Sequence, residues 1–129
     1  MLPFEDLDAF KACHKVTLKV HGILEPLSAN DPEIAAQLWA AALRAPARIA
    51  RGTAFSNRRR FALCVDRALA CLSEVGYQLS MVHALSLIPE EEHRELESLR
   101  GRAVFYTTKL LMTLISGEDP GTAPPAAGT

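Results

Sequence analysis

The stretch "FALCVDRALACLSEVGYQLSMV", Phe61 to Val82, decides the fold. Its apolar residues Phe61, Val65, Ala68, Leu72, Val75, Leu79 and Val82 advance by four and three in strict alternation. That is a heptad seam, which stacks all seven on one side of an α-helix. No alternating Val, Ile and Thr run of strand length competes with it anywhere in the chain. The spacing predicts a helix from about Ser56, an N-cap candidate, to about Ala84.

The same signal extends outward. On the N-terminal side, "NDPE" predicts a helix start: Asp31 caps, Pro32 suits the first helical position and Glu33 faces the positive end of the dipole. This helix is expected to end near Gly52 in a left-handed cap, with Pro46 bending it. Before it, Phe10, Cys13, Thr17, Val20, Leu24 and Leu27 recur at three- and four-residue steps, predicting a helix over Asp6–Leu27. Lys11, Lys15 and Lys19 form its solvated stripe. On the C-terminal side, "PEEE" places Pro89 at the first position of a helix with Leu96, Leu99, Ala103, Tyr106, Leu110 and Leu114 inside. That helix stops near Gly117. Four amphipathic helices joined by short turns give an all-α, antiparallel, up-down-up-down four-helix bundle over residues 1–117. The remaining stretch, 118–129, "EDPGTAPPAAGT", is too poor in apolar groups to offset its ordering and is expected to be a disordered tail.

Composition agrees with one domain. The chain has 129 residues, 49% of them apolar, which suffices for one core and excludes a disordered chain. No apolar run is long enough to span a membrane, and the acidic start "MLPFEDLDAF" has no signal-peptide core, so a cytoplasmic protein is expected. Cys13, Cys64 and Cys71 are too few and too odd for a disulfide framework. Cys64 and Cys71 lie seven apart, but buried thiols commonly act as small apolar fillers.

Two helices carry more apolar surface than one core needs. With Ile34 at zero and about 100° per residue, Leu38, Ala41, Ala45 and Ile49 cluster on the inner side of the second helix. Trp39, Leu43, Ala47 and Ala50 fall on the opposite side, at roughly 140–220°. On the third helix Leu63, Ala70, Tyr77 and Met81 lie opposite the seam. A helix apolar on opposed faces is buried on both, so a second copy is expected against Trp39, Leu43, Leu63, Tyr77 and Met81.

Charge is concentrated in "RAPARIARGTAFSNRRR", Arg44 to Arg60, which holds six arginines and no acid in a chain of net charge −1. Three readings compete. Arg44, Arg48, Arg51, Arg58, Arg59 and Arg60 form a phosphate-binding track for nucleic acid. Alternatively they pair at a subunit seam with acids such as Glu74, Asp66 and Glu90–Glu92, as the near-neutral net charge favours. Or they are a solvated face. Aromatic interleaving and the motifs of common nucleic-acid-binding folds are missing.

"QLWAAALRAPARIARG" at Gln37–Gly52, followed by "RRRFALCVDRALACLSEVGYQL" at Arg58–Leu79, resembles the four-helix bundle protein family known from open reading frames in 23S ribosomal RNA intervening sequences. The opening "FEDLDAFKACHK" resembles the family's start. Matching positions include Gln37, Leu38, Pro46, Ile49, Gly52, Phe61, Leu72 and Glu74. The resemblance implies an antiparallel bundle and a closed ring, most often a homopentamer. Through related accessory variability proteins of diversity-generating retroelements, it also implies a scaffold for RNA or DNA or a reverse transcriptase. This chain departs from the pattern along the second helix. Trp39 and Ala40 replace two arginines, and Arg44, Arg48 and Arg51 stand where serine, asparagine and glutamate are usual. Glu74 is retained as an ion-pair partner for one of these arginines.

Catalytic residues, a metal and a cofactor are not expected. Phosphate loop, nucleotide fingerprint and nucleophile elbow are missing from the sequence. His14 and His21 read as polar residues at the core edge. Glu90 and His93 have the Glu-x-x-His spacing of a bundle metal site, but lie at the wet start of the fourth helix without a second such motif. The expectation is a non-enzymatic homo-oligomeric scaffold or binding protein. The alternative is a small ligand- or metal-binding bundle enzyme.

Overall fold

A computed structural model describes residues 3–117, and the expected tail over 118–129 lies outside them. A short 3-10 turn, Phe4–Asp6, leads into four helices: α1, Asp8–Asn30; α2, Pro32–Thr53; α3, Arg58–Ala84; and α4, Glu90–Ser116. Each helix packs on its two neighbours in the cyclic order α1, α2, α3, α4, and among the described residues the backbones of diagonal pairs do not approach closely. The contacts fix direction. Thr17 reaches Ala42 and His21 faces Trp39, so α1 and α2 run opposite ways. Arg44 meets Glu74 while Gly52 abuts Phe61. Leu72 contacts Arg100 while His83 meets Glu90. Cys13 touches Thr107 while Lys19 pairs with Glu92 and Glu95. The bundle is up-down-up-down. Among the described residues no helix is long and apolar enough to cross a membrane.

The heptad seam of α3 is the centre of the core, and all seven of its residues are buried. Leu27, Leu38, Ile49, Leu72, Leu79 and Leu96 are among the largest fully buried side chains. The inner stripe of α1 lies slightly rotated from its expected position: Val16 and Ile23 are buried, while Phe10 and Leu24 are half-buried. On α4, Thr107 is fully buried between Ala103 and Leu110. It shares a 3.5 Å contact with the Cys13 sulfur, so each polar group finds a partner inside.

Local signals place the helix ends with three corrections. Asp31 is the single residue between α1 and α2: its N–H donates to Leu27 O, and its carboxylate accepts from the Ile34 N–H at 3.1 Å. The cap of α3 is Asn57 rather than Ser56, because the Asn57 Oδ1 accepts from the Arg60 N–H. Pro89 precedes α4 as its N-cap residue, and Glu90 opens the helix. Gly52 is not a left-handed cap. It is helical, and α2 ends one residue later at Thr53. A Cβ on Gly52 would stand 2.8 Å from Phe61 Cδ1 and 3.0 Å from Cys64 Cβ, so this glycine lets α2 and α3 approach. Gly117 does take the left-handed conformation, φ 84°, and closes α4.

Candidate functional site

The short turn between α2 and α3 gathers the arginines at one corner of the bundle. Arg44, Arg48 and Arg51 occupy the second half of α2, and Arg58, Arg59 and Arg60 open α3. All are exposed except Arg48, which is half-buried. Arg44 is neutralised within the chain: its Nη2 donates to Glu74 Oε2 at 2.9 Å, across the α2–α3 seam. Arg60 lies over the Phe55 ring, 5.5 Å from its centroid, so one aromatic does stand among the cations. The first turn of α3 contains three arginines and no acid. That turn is where a helix presents free N–H groups and the positive end of its dipole. In α4 the same position holds Glu90, Glu91 and Glu92, as the dipole favours. The α3 corner therefore adds side-chain charge to backbone charge of the same sign, which suits an anion.

Two of the acids considered as seam partners are engaged elsewhere in the chain. Lys19 bridges Glu92 and Glu95 at 3.2 Å each. These carboxylates hold its ammonium above the usual lysine range, Glu92 first. Lys19 is thus not part of a purely solvated stripe. Glu90 meets His83 at 2.9 Å. Asp66 and Glu91 are exposed.

The outer apolar residues divide. Leu43, Leu63 and Tyr77 are 43, 50 and 63% exposed, whereas Met81 is half-buried. Trp39 is half-buried and packs against the His21 ring of α1, so part of its surface is already covered within the chain. A second outer face had no counterpart in the sequence reading. Phe105, Met112 and Ile115 on α4 and Leu18 on α1 are exposed by 59–67%. The signal of this second face was the seven-residue step from Phe105 to Met112, on the side of α4 away from its inner stripe.

Cys13, Cys64 and Cys71 are buried. Burial pushes the Cys13 thiol up to about 11, against the lowering effect of its Thr107 contact, so it is not a thiolate at neutral pH. His14 and His21 are exposed, each ring against an aromatic, Phe10 and Trp39 respectively. Glu90 and His93 are brought together with His83, the last turn of α3 supplying a third group that sequence spacing did not connect to them. Beside them an open groove of about 480 Å³ runs between α3 and α4 past Tyr77, Ser80 and Arg100. Arg100 is held there by Glu97 at 3.0 Å and fits over Gly76, where a Cβ would come within 2.8 Å of its guanidinium carbon.

Among curated proteins and among solved structures, nothing matches this chain. The family described as 23S rRNA-intervening sequence protein matches it over residues 5–103, from the 3-10 turn to the middle of α4. The all-α architecture agrees with that match, and the chain belongs to the 23S rRNA-intervening sequence protein family.

Proposed function

We propose that this protein is a non-catalytic, self-associating scaffold whose arginine corner engages the phosphates of a nucleic acid. The observation that carries the reading is the first turn of α3. Arg58, Arg59 and Arg60 stand at a helix N-terminus, the positive end of the dipole, with no acid in that turn. Arginine side chains and the positive end of the helix dipole both favour an anion at this turn. Arg48 and Arg51 extend the corner along α2, and Phe55 offers a ring beside it.

Self-association rests on two sets of exposed apolar residues. Leu43, Leu63 and Tyr77 are exposed on α2 and α3, and Phe105, Met112, Ile115 and Leu18 on α4 and α1. Two different faces favour head-to-tail contacts, which close into a ring when the rotation allows. Five copies is the number implied by the resemblance to ring-forming relatives. A ring repeats the cationic corner around its axis and strengthens its field.

The test is titration of labelled single-stranded RNA at low salt, with mass measured by light scattering in parallel. Wild-type protein is expected to bind and to release the RNA as salt rises. Arg58→Gln/Arg59→Gln/Arg60→Gln should lose binding and keep its mass. A triple variant that binds RNA unchanged overturns the phosphate reading, and one that falls to a single chain assigns these arginines to the subunit seam.

A further inference from the structure

We infer that His83, Glu90 and His93 form a divalent transition-metal site, of the zinc type, at the α3–α4 corner. The three side chains each offer one ligand atom, and these atoms all lie within 4.8 Å of one another. His83 Nε2 is already 2.9 Å from Glu90 Oε2, and the His83 and His93 rings stack with centroids 4.3 Å apart. Ligands about 2.0–2.2 Å from a tetrahedral ion stand roughly 3.3–3.6 Å from each other. The gap to be closed is at most about 1.2–1.5 Å.

The backbone between the ligands is fixed. Leu87 N–H donates to Val82 O, and Ser86 N–H donates to His83 O, so α3 ends in a Schellman motif with Ser86 left-handed at φ 55°. His93 N–H donates to Pro89 O and locks the first turn of α4. His83 and the Glu90–His93 pair are therefore held facing each other by hydrogen bonds that no ion has to form. Preorganisation of this kind lowers the cost of binding. The donor set is two imidazoles and one carboxylate, which suits zinc, nickel or copper over magnesium or calcium. Glu97, the next acid along this face, is engaged by Arg100, and both rings border the open groove, which leaves room for water on the ion. The thiols are buried elsewhere and are not part of this set.

The probes are zinc chloride and, as a control, magnesium chloride, added to the full chain purified in chelator and then desalted. Calorimetry is expected to show one zinc per chain, a higher melting temperature and no response to magnesium. His83→Gln and His93→Gln should each weaken zinc at least about tenfold, whereas His14→Gln should leave it unchanged. A second readout needs no variant. In NMR spectra of the wild-type protein, zinc should shift the ring signals of His83 and His93 together and leave those of His14 and His21 in place. No uptake at millimolar free zinc overturns the proposal. So does uptake that survives both substitutions, or a thiolate charge-transfer band when cobalt replaces zinc. None of these outcomes depends on RNA binding or on subunit number.

Discussion

The Thr17 hydroxyl lies 2.7 Å from the carbonyl of Ala42, across the α1–α2 interface, closer than the 3.1 Å to the Cys13 carbonyl of its own helix, so Ala42 is the better acceptor of its one hydrogen. Ala42 is four residues before Pro46, so its carbonyl is the one that Pro46, lacking an N–H, cannot serve. Both Thr17 and Ala42 are buried, and water cannot substitute. A side chain of one helix thus repairs the gap that proline opens in the next. Thr17→Val keeps the shape and removes the donor, and should destabilise the fold by about 1–3 kcal/mol. In a Pro46→Ala background the helix can supply its own N–H, and the same substitution should cost less. Urea denaturation of the four proteins measures the coupling, expected at about 0.5–3 kcal/mol. Equal costs in both backgrounds would show that Thr17 does not serve this carbonyl.

Gly52 should tolerate no side chain. A methyl group there meets the Phe61 ring and Cys64 Cβ, both attached to α3. Gly52→Ala should destabilise by about 1–3 kcal/mol despite the better helix propensity of alanine. The control is Gly101→Ala, where nothing lies within 4 Å and a gain of about 0.5–1 kcal/mol is expected.

Ser86 has φ 55°, a conformation that costs a residue with a Cβ about 1–2 kcal/mol. Glycine removes that cost but gives up part of it as entropy of the unfolded chain. Ser86→Gly should raise stability by about 0.5–1 kcal/mol, visible as a higher urea midpoint at unchanged slope.

Stability and binding should part company at Arg59. Arg59→Glu places a favourable charge at the α3 N-terminus and should stabilise the fold by about 0.3–1 kcal/mol at low salt. The same change should weaken RNA binding. A variant that loses both would mean that Arg59 holds the fold together instead.

Two separate apolar sets make a mixing experiment informative. Leu63→Glu spoils the α2–α3 face and Phe105→Glu the α1–α4 face, so each variant alone should run as a single chain of 14.1 kDa. Mixed, each retains the face the other needs, and a pair of twice that mass should form. If like faces joined, each variant would already pair with itself through its intact face, and mixing would add nothing.

How much of this was legible in the sequence follows from where each signal resides. The α3 seam, the Asp31 cap and the Gly117 stop are local, carried by spacing and residue type, and all appear in the fold. Gly52 was misread because a glycine near a helix end looks the same whether it serves φ or a neighbour's ring. Ser56 and Asn57 are both good caps, and only the register of α3 chooses between them. Thr107 was missed because its partner, Cys13, is on another helix. His83 was missed likewise: its partners belong to the next helix, brought near by the Ser86 turn. The arginines were legible as a cluster, but the capture of Arg44 by Glu74 narrows it to a corner.

The salt dependence of RNA affinity tests the central claim most directly. For single-stranded RNA the logarithm of the binding constant falls with the logarithm of salt by about 0.7 per phosphate neutralised. Removing Arg58, Arg59 and Arg60 as glutamines, at unchanged mass, should therefore flatten the slope by about 2 per chain engaged. A slope identical in wild type and triple variant would contradict the account, because the corner would then touch no phosphate.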